Sequence, residues 1–140
     1  MQILLKIIPL ALYFIVGLIS LSMAHKSLLS KTFISFHEAA ARTPISNLDE
    51  RLQHVILSIM RTTGLGFLVV GLLLIIFPLI NYFKPNAAIG LGIPMICGIY
   101  CFGLYLVNYR LHKNSRVETP WKGSLVAAAI LAVEIIITIL

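Results

Sequence analysis

The sequence predicts an all-α integral membrane protein: a four-helix bundle with a short interfacial helix in its first loop, built as one domain over residues 1–140. Three observations carry that expectation. Of the 140 residues, 59% are hydrophobic and only 11% charged, whereas soluble domains carry about a quarter charged residues. Apolar runs recur at close to the roughly 20 residues a helix needs to cross about 30 Å of hydrocarbon. Basic residues gather at the ends of those runs and not on one soluble face. Backbone groups find no partner in lipid unless the segment closes its own hydrogen bonds, so each run is expected to be a helix.

The spans fall at about 3–23, 63–82, 87–107 and 123–140. The first ends in Ser22-Met23-Ala24, a small-x-small pattern like a leader cleavage site. Only Lys6 precedes the apolar stretch, while Lys26 and Lys31 follow it, the reverse of a leader's charge layout. It reads as a true span.

In the first loop, Lys31 to Arg42 suits a short helix, with Phe33, Phe36 and Ala40 on an apolar side able to lie on a membrane. Glu38 and Arg42 stand four apart in the favoured order, worth roughly a few tenths of a kcal/mol. His37 points about 100° away from Glu38 on such a helix, which argues against an intimate dyad. Thr43-Pro44 ends the segment, because the residue before a proline is pushed out of the helical region.

Ser46-Asn-Leu-Asp49 reads as a capping box, so the second helix is expected to start at about 47, outside the bilayer. Leu48, Leu52, Val55, Ile56, Ile59 and Met60 then follow helical spacing. The helix runs on to about Pro78 or Phe83, and Pro85-Asn86 turns into the third span. Thr119-Pro120-Trp121 opens the fourth, with proline at a helix start and tryptophan at interfacial depth.

Orientation follows from lysine and arginine. Lys26, Lys31, Arg42, Arg51, Arg61, Arg110, Lys113, Arg116 and Lys122 flank the loops 24–62 and 108–122, against Lys6 and Lys84 on the other side. Nine against two places those loops in the cytoplasm and both termini outside. The net charge of +6 then faces anionic lipid headgroups, so membrane lipids are the expected partners, together with a membrane protein or a second copy of the chain, and nucleic acid is not.

Candidate chemistry is sparse. The histidines His25, His37, His54 and His112 lie outside the apolar cores and show no zinc-type spacing with Cys97 or Cys101, so no metal or other cofactor is implied. Cys97 and Cys101, four apart inside a span, read as small packing residues rather than a redox pair. The glycines of the second and third spans read as sites of close helix approach. Glu134 is the one acid inside a span, a costly placement that calls for a partner or a proton. Lys6, at a similar depth from the same side, is the candidate for a buried ion pair with it.

At the opposite interface, His37, Glu38, His54, Arg61, Arg110, Thr119 and Trp121 gather as a candidate ligand-binding set. A guanidinium such as Arg61 grips phosphate or carboxylate bidentately, and a histidine can act as a base near neutral pH. No nucleophile stands at a catalytic spacing from either, so no catalytic residue is assigned.

The succession His37-Glu-Ala-Ala, Leu48-Asp-x-Arg-x-Gln, Met60-Arg, Gly64-x-Gly66 and Thr119-Pro-Trp121 resembles a group of small bacterial four-span inner-membrane proteins. That resemblance implies a four-helix membrane fold and a bacterial inner-membrane origin, and carries no reaction. The resulting functional expectation is a non-enzymatic membrane protein whose cytoplasmic-side polar pocket binds a lipid headgroup, an amphipathic ligand or a partner protein. An enzyme acting on a lipid or quinone-like substrate with a histidine base is the second reading. A small transporter using Glu134 is the third.

Overall fold

A computed structural model describes the backbone of residues 2–139 and the side chains of residues 7–139. Five α-helices follow one another: α1 (Gln2–Leu29), α2 (Ser35–Ala41), α3 (Glu50–Phe83), α4 (Ala87–Ser115) and α5 (Trp121–Ile139). A 3-10 turn at Ile45–Asn47 joins α2 to α3, and the described residues include no strand. Four of the helices, α1, α3, α4 and α5, are long and apolar enough to cross a membrane. The chain is therefore an all-α, multi-pass membrane protein.

α1 packs most extensively on α3 and α4 on α5, while α3 meets α4 and α1 meets α5 more lightly. Two antiparallel hairpins thus close into a ring of four. One end of the bundle, the terminal end, holds the start of α1, the α3–α4 turn and the end of α5. The other, the loop end, holds the α1–α3 and α4–α5 connections.

Each spanning helix sends one side chain to the centre: Val16, Leu74, Cys97 and Leu131 are all 1% exposed or less. Large apolar groups such as Val69, Ile99 and Ile136 point outward instead. That is the expected distribution in lipid, where hydrophobic force between helices is absent and close packing holds them together. The α1–α3 contact illustrates it. A Cβ on Gly17 would stand 3.2 Å from the carbonyl oxygen of Gly71, and a Cβ on Gly71 would stand 3.0 Å from that of Gly17. Gly64 meets the backbone of Leu28 equally closely, whereas Gly92 and Gly103 on α4 face open space. Close approach therefore accounts for the α3 glycines and leaves Gly92 and Gly103 outside any contact.

Three expected details change. α3 begins at Glu50, with Asp49 as its N-cap accepting from the Arg51 N–H. Ser46 does not cap it, because the chain after Pro44 first makes its 3-10 turn and buries Ile45. The Glu38–Arg42 pair does not form. Arg42 leaves α2 in the left-handed region (φ 54°), which removes the four-residue helical spacing, and the ion pair among the described residues joins His54 and Glu50 instead. Finally, α1 and α4 run to Leu29 and Ser115, well past the apolar runs that announced them.

Candidate functional site

The loop-end residues do not form one pocket. His37 is half-buried on α2 against the Phe36 ring, 4.1 Å between centroids. Its burial holds the imidazole below the ordinary histidine range, since desolvation disfavours the charged ring. Glu38, Arg61 and Arg110 are exposed. His54 is exposed too and lies 3.9 Å from Glu50.

Only Thr119 and Trp121 belong to a built arrangement. Thr119 is buried and donates to the Asn108 carbonyl at 2.8 Å. His112 Nδ1 lies 2.7 Å from the Val117 carbonyl, and because a carbonyl only accepts, Nδ1 carries the proton there. Trp121 stacks among Tyr105, Tyr109 and His112 with centroids 5.5 to 6.2 Å apart. This aromatic and hydrogen-bonded cluster fastens the α4–α5 connection back onto α4. Among the described residues, no hydrogen bond or ion pair joins any two of His37, Glu38, His54, Arg61, Arg110, Thr119 and Trp121.

The terminal end holds the better-formed space, a half-open cavity of about 240 Å³ to which all four spanning helices contribute. α1 supplies Pro9 and Tyr13, α3 supplies Pro78 and Asn81, α4 supplies Gly90 and Pro94, and α5 supplies Thr138. Prolines from three helices meeting at one void have a common physical consequence. Each lacks an N–H and so leaves the carbonyl four residues earlier without its helical donor. Leu74 and Gly90 are the acceptors freed by Pro78 and Pro94.

The turn beside the cavity is tied down by two asparagines. The Asn86 N–H donates to Asn81 Oδ1 at 2.7 Å, and Asn86 Oδ1 in turn accepts from the Ala88 N–H at 2.9 Å as the cap of α4. The Asn81 amide nitrogen faces Gly90, where a Cβ would come within 3.1 Å of it.

Beneath the cavity lies Glu134, 0% exposed, with neither carboxylate oxygen hydrogen-bonded among the described residues. Thr138, one turn along α5, donates to the Glu134 backbone carbonyl at 2.9 Å. Tyr13 comes from α1 to the same cavity wall as Thr138. The side chain of Lys6, the expected partner of Glu134, lies outside the described residues. On the helix backbone, Tyr13 is two turns further along α1 than Lys6, about 10 Å at the helical rise.

Comparison with protein-family models, with curated proteins and with solved structures finds no match. The site is thus read from its own chemistry.

Tyr13, Asn81 and Thr138 are residues that sequence reasoning passed over. One signal for them was present: Pro9, Pro78 and Pro94 each lie within about two turns of the same end of their helices, so proline depth alone marks the level of the cavity. Cys97 and Cys101 are free and buried in the core cluster with Leu74 and Leu131, where they fill space.

Proposed function

We propose that the protein is a non-enzymatic, multi-pass protein of the bacterial inner membrane that binds a lipophilic small molecule in the proline-lined cavity at the outer ends of its spans. The cavity itself carries this reading: all four spanning helices contribute to its wall, which sets Asn81 and Thr138 among apolar and aromatic side chains. Its volume of about 240 Å³ falls just below the roughly 300 to 1,000 Å³ of drug-sized ligand sites. It suits the head or ring of an amphipathic molecule whose tail continues into the bilayer, and is too small for a whole lipid. No residue pair beside it forms a nucleophile and base, which supports binding over catalysis.

Native mass spectrometry of gently extracted protein tests the reading. The wild type is expected to retain a small lipophilic molecule. Gly90→Leu, whose side chain would enter the cavity between Asn81 and Thr138, is expected to lose it. Retention of the same molecule by Gly90→Leu would place the ligand elsewhere.

A second reading concerns the loop end, where exposed Arg61 and Arg110 would hold anionic lipid headgroups at the cytoplasmic face. Its support is the exposure of both guanidinium groups at the loop end, together with Lys122, 5.6 Å from the Trp121 ring. Replacing both arginines with glutamine is expected to weaken co-sedimentation with vesicles containing phosphatidylglycerol and to leave the molecule bound in the cavity in place.

A further inference from the structure

We propose that the head of the bound molecule is cationic, so that the ligand is a lipophilic amine whose ammonium group is neutralised by Glu134. This rests on the cavity reading above and names the chemical class that the same site selects.

Four features point the same way. The first is Glu134, fully buried with both oxygens unpartnered among the described residues. A carboxylate inside a membrane span is costly unless a cation or a proton neutralises it. The second is position. Thr138 lines the cavity, and Glu134 lies one turn deeper on the same face of α5, its backbone carbonyl accepting from the Thr138 hydroxyl. Thr138, the α5 residue in the cavity wall, is thus one helical turn from the buried acid.

The third feature is the wall. Phe77 and Tyr82 join Tyr13 as aromatic rings on the cavity, and among the described residues no lysine, arginine or histidine lines it. Ring faces attract cations. The fourth is the backbone acceptor that Pro94 leaves at Gly90, a residue of the cavity wall. An ammonium carries three donors and no acceptor, so it satisfies acceptors and neutralises the carboxylate together. A carboxylate ligand would meet repulsion from Glu134, and an alcohol would leave the charge uncompensated.

Lys6 is the chain's own competing ammonium, and the experiment separates it from a ligand. Equilibrium binding of radiolabelled dodecylamine and dodecanol is measured on the full-length protein in nanodiscs. Wild type is expected to bind the amine at least about tenfold more tightly than the alcohol, a difference of about 1.4 kcal/mol. Glu134→Gln is expected to abolish that preference while still binding the alcohol, and Glu134→Asp to restore part of it. Alcohol binding by the Gln variant shows that it is folded. Lys6→Met is expected to leave amine binding unchanged or tighter.

Equal binding of amine and alcohol by wild type and Glu134→Gln, with both abolished by Gly90→Leu, would overturn the cationic head and leave the cavity reading standing. Binding of both that Gly90→Leu does not affect would overturn the two together. Loss of amine binding in Lys6→Met would overturn the role given to Glu134.

Discussion

Gly71 and Gly103 are both helical glycines of a membrane protein, yet the structure gives them opposite fates. Replacing either with alanine removes backbone freedom and favours the helix by about 1 kcal/mol. At Gly103 nothing stands within 4 Å of the new methyl group, so that gain is kept. At Gly71 the methyl would lie 2.7 Å from Leu21 Cδ2 and 3.0 Å from the Gly17 carbonyl oxygen. Leu21 can move, but the backbone of α1 cannot without parting the hairpin, and such overpacking costs about 1–3 kcal/mol. Unfolding in detergent is therefore expected to show Gly103→Ala as neutral or stabilised and Gly71→Ala as destabilised. His37 offers a test by pH. Burial lowers its pKa in the folded chain below the ordinary 6.5, so the unfolded state takes up the proton first. The stability is fully present above pH 6.5 and falls as the pH drops through and below that value. The protection factors of α2 amides, corrected for the slower intrinsic exchange in acid, are expected to fall on acidification in the wild type and to lose that dependence in His37→Gln.

At the scale of elements, the apolar runs made the four spans legible, because lipid allows only self-satisfied helices. α2 was legible in part: Phe36 and Ala40 share one side and Pro44 follows, but the helix spans Ser35–Ala41 and not the expected Lys31 to Arg42, so Phe33 lies outside it. What the sequence concealed were choices made by tertiary geometry. Ser46 and Asp49 both have capping side chains, and only the 3-10 turn after Pro44 decides that Asp49 is the cap. Glu38 and Arg42 have pair spacing, and only the left-handed exit at Arg42 undoes it. The cavity was harder still, because Tyr13, Asn81 and Thr138 are ordinary residues until four helix faces meet. Pro85-Asn86 shows the intermediate case: it was readable as a turn, while the double use of Asn86 was not. Asn86 caps α4 and its backbone is held by Asn81. Asn86→Ala is expected to cost about 1 kcal/mol through the lost cap. Gly90 should then exchange faster with solvent, since its N–H bonds the Asn86 carbonyl. An unchanged exchange rate would mean that Asn81 alone holds the turn.

For the whole molecule, the direction in which the cavity opens depends on how the bundle sits in its membrane. The loop end carries Lys26, Lys31, Arg42, Arg51, Arg61, Arg110, Lys113, Arg116 and Lys122, and the terminal end carries Lys6 and Lys84. Each basic residue near an anionic leaflet contributes about 1 kcal/mol, so under the proposed inner-membrane placement this asymmetry predicts a cytoplasmic loop end. The structure makes the test clean, because both native thiols are buried, Cys97 at 0% and Cys101 at 5% exposure, and should label poorly with a maleimide that does not cross membranes. Ser35 at the loop end and Lys84 at the terminal end are both exposed, so Ser35→Cys and Lys84→Cys report the two sides. In intact cells stripped of their outer membrane, Lys84→Cys is expected to label at once and Ser35→Cys only after the inner membrane is permeabilised. The opposite pattern would turn the cavity toward the cytoplasm. It would also place Glu134 near the inner leaflet, so that a lipophilic amine would have to reach it from inside the cell. Orientation thus decides the side from which the ligand arrives, while leaving the chemistry of the site unchanged.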